Sequence, residues 1–241
     1  MRRLLLVVLL LVAGCSAEAE DRPLLVAAAS DLGPAFTELG EVYEEQTGRS
    51  VTFTFGSSGQ LSQQVVNGAP FEVFAAANEA FVDDVLEAGQ GDPSTKQQYA
   101  LGRIAVWTPS GRVSVQDLAQ PRFRRIAVAN PEHAPYGVAA VQALRSSGVY
   151  DRVQPRLVYG ENVSDTLRLA TSGNADAAVV ALSLASVEDS GTFTEVPATA
   201  HAPLRQVLVV TGEREQAARE FADLVTGERG REVLRRYGFQ V

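Results

Sequence analysis

Two stretches of the chain set hydroxyl and amide donors at the point where a strand gives way to a helix. In residues 51–64, VTFTFGSSGQLSQQ, Val51, Phe53 and Phe55 alternate with Thr52 and Thr54, the period of a strand. Gly56-Ser57-Ser58-Gly59 then breaks the alternation, and Leu61 and Val65 resume at helical spacing. The opening N–H groups of a helix lack intrahelical partners and carry partial positive charge, so such a turn can seat an anion. Alone, Ser58 reads equally well as a plain helix cap. The same device occurs earlier, where the apolar run Leu24 to Ala29 ends at Ser30-Asp31 before a helix with Leu32, Ala35, Phe36, Leu39, Val42 and Tyr43 on one face. Two such turns in successive β–α units put their donors at one carboxyl edge of a parallel sheet, where open α/β sheets bind ligands.

The remaining elements must position these turns. FEVFAAA (71–77), RIAVA (125–129) and RLVY (156–159) read as strands, each followed by an apolar helical pattern, opened at Asn78, Tyr136 and Asn162; AAVVAL (177–182) reads as a continuous buried strand, with a turn at Gly191 and a short strand over 193–196 after it. A short helix is expected over Val113–Leu118. The alternation implies an α/β fold with mostly parallel sheets and flanking helices. Long extended runs near 100–107 and 203–210 suggest crossings between two lobes, residues 24–102 with 198–241 forming the first and residues 103–197 an inserted second.

The N-terminus reads as an export signal. Met1-Arg2-Arg3 precedes an apolar run from Leu4 to Val12 that is too short to span a bilayer, and Val12-Ala13-Gly14-Cys15 resembles a bacterial lipobox. That implies cleavage after residue 14, a lipid on Cys15, a tether over 15–23, and a protein held at the outer face of a membrane. Cys15 is the one cysteine among 241 residues, so no disulfide or thiol chemistry is left. Cleavage would move the net charge from −8 to −10, with 19 basic and 29 acidic residues. No basic patch suits nucleic acid. An acidic protein that binds an anion must do so with local donors, because its overall field repels.

Other chemistry-bearing residues read as structural. His133 and His201 lack a second ligand at metal spacing. Gly56 and Gly59 stand too close for a Gly-x-Ser-x-Gly elbow, and no base pairs with either serine in a recognisable pattern. Asp165 and Asp176 fall at a helix start and a strand start, Trp107 on a crossing strand, and Arg122, Arg124 and Arg125 on a solvated face.

Taken in order, the stretches VAAAS (26–30), FGSSGQL (55–61), GAPFEVFAAAN (68–78), NPEHAPYG (130–137), GENV (160–163) and YGF (237–239) resemble the periplasmic molybdate-binding proteins of ABC transporters, a type II solute-binding family. The resemblance implies two α/β lobes closing on a tetrahedral oxyanion without a counter-charge, a monomer with no resident cofactor, and a permease as partner. Ser30 and Ser58 would donate through side chain and backbone, Ala77 and Val163 through backbone N–H, and Tyr136 through its hydroxyl. Asp31 is an additional candidate through its N–H, its carboxylate turning to solvent or capping the helix as the cheaper outcome. Glu72 stands where the family usually carries Asp and is assigned to the framework. The cargo implied is molybdate or tungstate. Sulfate, a phosphonate or a small carboxylate is the alternative, favoured if Asp31 faces inward, and a serine hydrolase is a third.

Overall fold

Strands of four to seven residues build two sheets. The computed structural model describes residues 22–212 and 215–241; the lipobox with Cys15 and the apolar run before it lie outside the described residues. Strands β1 (Leu24–Ala29), β2 (Val51–Gly56), β3 (Val73–Ala76) and β4 (Gln97–Gly102) lie in one sheet. Strands β5 (Ile104–Thr108), β6 (Ile126–Ala129), β7 (Leu157–Gly160), β8 (Ala177–Ala181) and β9 (Thr192–Glu195) make the other, and β10 (Leu204–Val210) returns to the first. The orders are β2-β1-β3-β10-β4 and β7-β6-β8-β5-β9. The chain therefore passes between sheets twice, at Arg103 and again between β9 and β10.

Each sheet repeats one plan. Its first strand, β1 or β6, pairs in parallel with the next two. The strand adjoining a passage, β10 or β5, runs against both its neighbours. The expected mostly parallel sheets are thus mixed. Four of five strands in each sheet share one direction, and one reversed strand makes half the ladders antiparallel. A strand entering directly from the other lobe, with no crossover helix, can arrive reversed, and antiparallel pairing needs no such connection.

Helices flank both sheets. They are α1 (Gly33–Thr47), α2 (Ser58–Val66), α3 (Glu79–Glu87), α4 (Pro135–Ser146), α5 (Tyr150–Val153), α6 (Val163–Thr171), α7 (Leu182–Ala185), α8 (Glu215–Thr226) and α9 (Glu228–Arg236). Where a short helix was expected over Val113–Leu118 there is a 3-10 turn at Gln116–Ala119. Helix α1 buries Ala35, Phe36, Leu39 and Tyr43. Phe221 meets Phe36 and Tyr43 edge-on, with ring centroids 5.8 and 5.6 Å apart, a favoured aromatic geometry. The Tyr43 hydroxyl donates to the Ala217 carbonyl, so the ring's polar end is satisfied. Glu72 is buried and its Oε2 accepts the Leu25 N–H at 2.9 Å, which ties the β3 approach to β1. The parallel ladders of β1 with β2 and β3 bring the carboxyl ends of the three strands side by side, Ala29 opposite Gly56 and Ala28 opposite Ala75 and Phe55.

Candidate functional site

The first wall of the site is built from three strand ends. Strand β1 finishes in alanines, small enough for the chain to turn tightly into a buried 3-10 turn, Ser30–Leu32, before α1. Strand β2 runs into α2 through Ser57, whose Oγ accepts the Gln60 N–H, so Ser57 caps this helix and Ser58 does not. Ser58 is the first helical residue, and its buried Oγ accepts the Ala77 N–H at 3.0 Å. That bond ties the end of β2 to the segment leaving β3.

The second wall comes from the other lobe. Asn162 caps α6, its Oδ1 accepting the N–H groups of Ser164 and Asp165, both at 3.0 Å. The Val163 N–H, first in the helix, is outside that pair. Helix α4 begins at Pro135, a residue suited to a first turn, and presents Tyr136 from its opening. A side chain at Gly102 would collide with the Tyr136 hydroxyl, so glycine there admits the ring.

Hydrogen bonds join the walls. Ser164 donates from Oγ to the Ser30 carbonyl at 3.0 Å and from N to Ser30 Oγ at 3.4 Å. Ser183 Oγ donates to the Asp31 carbonyl at 2.7 Å. The Gly59 N–H donates to the His133 carbonyl at 3.0 Å, and His133 Nδ1 lies 2.9 Å from Ser57 Oγ. Gln60 Nε2 donates to Glu161 at 3.1 Å. The lobes are closed on each other.

Between them lies one small cavity. It is lined by Ala29, Ser30, Asp31, Gly56, Ser57, Ser58, Ala77, Ala134, Pro135, Tyr136 and Val163. Ser30, Ser58, Ala77, Tyr136 and Val163, drawn from positions 30 to 163 of the chain, therefore share one space. About 10 Å³ is open to the centre of a water-sized sphere, about one sphere's worth. With the walls in this closed position there is no room for a sugar or amino acid. No Arg, Lys or His lines it among the described residues.

Asp31 departs from expectation. Its side chain neither turns to solvent nor caps a helix: the residue has 0% exposure. Oδ2 accepts from the Tyr136 hydroxyl at 2.8 Å and from Gln206 Nε2 at 3.0 Å. Oδ1 is buried with no hydrogen-bond partner. Burial outweighs these bonds and pushes the carboxyl up to about 7. The buried hydroxyls of Tyr136 and Tyr99 are held well above their usual range, by burial first and then by the Asp31 charge. A buried carboxyl in place of a solvated one follows from its neighbours, since two donors from α4 and β10 reward the inward rotamer. Were the carboxyl ionised about 5 Å from a dianion, repulsion would be about 7 kcal/mol at an effective dielectric of about 20.

The sequence model described as "Bacterial extracellular solute-binding protein" matches residues 24–240. The chain belongs to this family. Among curated relatives of this solute-binding protein, the molybdate-binding protein ModA of Rhodobacter capsulatus is 33% identical, the match covering 96% of this chain and 93% of the relative. ModA of Azotobacter vinelandii is 32% identical over 93% of this chain and 92% of its own. The solved periplasmic molybdate-binding protein of Azotobacter vinelandii superposes with a TM-score of 0.85 at 31% identity, covering 90% of this chain and 99% of that one. The fold is thus the two-lobed α/β fold of periplasmic binding proteins.

Several residues of this binding protein's gap were not singled out as site residues in the sequence. Gln206, in β10, meets Asp31 and Tyr136; its only signal was an amide inside the apolar run LRQVLVV. Ser164 and Ser183 carried none. His133 read as a loop residue, and Ser57 as without a base, yet the fold pairs them between the lobes. No carboxylate bonds the other ring nitrogen among the described residues, so the pair lacks the third member of a hydrolytic triad. Asp165 and Asp176 accept backbone N–H groups, of Glu161 and of Arg124 and Arg125, and so hold local turns.

Proposed function

We propose that the protein is the extracytoplasmic receptor of an ABC importer and that it captures molybdate or tungstate as the free oxyanion. The observation that carries the reading is the convergence of Ser30, Ser58, Ala77, Tyr136 and Val163, from both lobes, on one cavity without a basic side chain. The Ser30 and Ser58 hydroxyls and the Ser58 and Val163 N–H groups would donate to the oxygens, the metal atom would touch no side chain, and Tyr136 and Ala77, whose hydrogens bond Asp31 and Ser58 in this structure, would complete the wall. A fully ionised oxyanion only accepts hydrogen bonds, so a site made of donors prefers it to hydrogen phosphate, whose proton would need an acceptor. Each unpaired buried polar group costs about 1–3 kcal/mol. Against sulfate the chemistry is the same and only size differs, which the two rigid walls would gauge. Closure over the ion would give the permease a shape to recognise.

The protein would need no resident cofactor and act as a monomer. It would catalyse no reaction, because the Ser57–His133 pair serves to latch the lobes. Cys15 would carry the lipid that holds it outside the membrane. Calorimetry of the folded protein with molybdate, tungstate, sulfate and hydrogen phosphate tests the reading. Tight binding of the first two is expected. Binding of sulfate or hydrogen phosphate with no heat from molybdate or tungstate would refute it. Labelling with a radioactive fatty acid, lost on Cys15→Ser, tests the anchor.

The inward Asp31 raises the competing reading, in which an acceptor in the gap receives a protonated ligand. An inward carboxyl excludes a dianion only while it is charged, and burial favours its neutral form.

A further inference from the structure

We infer that Asp31 meets the bound dianion as a neutral carboxylic acid that donates a hydrogen bond from Oδ1, so that each capture takes one proton from solvent. The inference rests on the oxyanion reading of the site and adds to it a donor that the backbone pattern does not supply.

The geometry is specific about where the proton goes. Oδ2 already accepts two hydrogen bonds, from Tyr136 and Gln206, and has little further use for a hydrogen of its own. Apart from the pull of the residue's own backbone N–H on the carboxyl, Oδ1 has no hydrogen-bond partner, is buried, and belongs to a residue that lines the cavity. A buried polar atom without a partner is rare in a folded protein and calls for one. In the ionised state Oδ1 would be a bare acceptor beside a ligand that also only accepts. In the protonated state it becomes a donor of the kind the site otherwise consists of. No cation lines the cavity to hold the carboxylate charged. The titratable groups facing the side chain are Tyr136 from α4 and Tyr99 from β4, while Gln206 of β10 and Ser183 of α7 are neutral; burial keeps both tyrosines protonated. Asp31 is therefore the ionisable group lining the cavity whose charge can change around neutral pH, and its carboxyl sits at about 7.

The proton balance is simple. Above that pH the free protein holds the carboxylate, a proton comes from water or buffer, the O–H bond forms on Oδ1, and release of the dianion returns the proton. Binding should then be level in acid down to the range where the anion itself protonates, and weaken about tenfold per pH unit above about 7. At pH 8 uptake should approach about 0.9 proton per ion, and at pH 5.5 it should vanish.

The test is calorimetry with molybdate in Tris and in HEPES at pH 8, whose differing ionisation heats report the protons exchanged, followed by affinities from pH 6 to 9. Asp31→Asn keeps the shape and a donor, and should bind with a flat pH profile and lose the uptake. His133, bonded to Ser57 and not to Asp31, is unchanged in that variant, so the difference between wild type and variant belongs to Asp31. Wild-type protein that binds molybdate at pH 8 without taking up a proton overturns the inference. So does an Asp31→Asn variant that retains the wild-type pH profile. If molybdate gives no heat in either buffer, the reading of the cargo fails instead.

Discussion

Gly59→Ala separates the affinity of this protein from its stability. Gly59 sits in the first turn of α2, against the other lobe. A methyl group there would lie 2.9 Å from the His133 carbonyl oxygen and 3.1 Å from its Cα. These are backbone atoms of the opposite wall, so no side-chain rotation relieves the contact and the lobes must stay apart. Overpacking of this sort costs about 1–3 kcal/mol. Loss of the Gly59 N–H bond to the same carbonyl adds about 0.5–1.5 kcal/mol. A receptor that opens between captures bears that combined cost of about 1.5–4.5 kcal/mol only when closed, so affinity should fall by roughly 10-fold to 2,000-fold. Within its own lobe the change is favourable, because alanine in a helix is better than glycine by up to about 1 kcal/mol. Calorimetry with molybdate and thermal melts with and without it check both halves. The melting temperature without molybdate should hold or rise while the shift on adding molybdate shrinks. Wild-type affinity would refute the reasoning, since it would mean that capture does not bring α2 against His133. A lowered melting temperature without molybdate would refute it as well, by placing the damage inside one lobe.

Three further outcomes are expected. Ser58→Ala removes a hydroxyl bonded to the Ala77 N–H and, on the proposed function, one donor to the ion; at about 1.5–3 kcal/mol for a bond to a charged group, molybdate affinity should drop about 10- to 150-fold by calorimetry. Asn162→Ala removes the cap that accepts two N–H groups of α6; denaturant melts should show a loss of about 0.5–2 kcal/mol, and Asn162→Ser should recover most of it. Asp31 also couples stability to pH. Its carboxyl lies at about 7 in the folded protein and about 3.9 in an unfolded chain, so between those values the folded state holds a proton that the unfolded state has released. The stability this supplies is complete below about pH 4 and is lost as pH rises through 7, by up to about 4 kcal/mol. Denaturant titrations at pH 4 and pH 8 should show that loss in the wild type beyond any shown by Asp31→Asn, and an equal pH dependence of the two would contradict it.

Local pattern carried much of this protein. The alternation in VTFTF and the helical spacing after Ser30 and Ser58 marked both strand-to-helix turns, because strand and helix periods are expressed over a few residues. Ala77, Tyr136 and Val163 were reached through resemblance, since a backbone N–H leaves no trace in composition and one tyrosine among six carries no local mark of its partner. The reversed β5 and β10 were not legible: direction in a sheet depends on which neighbour a strand finds, and β10 finds β3 and β4 from more than 100 residues away. Asp31 shows the same divide at a single side chain. Its place beside Ser30 is a matter of chain order. Its inward rotamer depends on Tyr136, 105 residues on, and Gln206, 175 residues on, arriving with donors. His133 reaches Ser57 across a separation of 76 residues. Short-range periodicity states which elements form and which hydroxyls sit at their ends. Which groups then face one another across the gap, and in which protonation state, follows from burial and long-range hydrogen bonds that exist once the two lobes have closed.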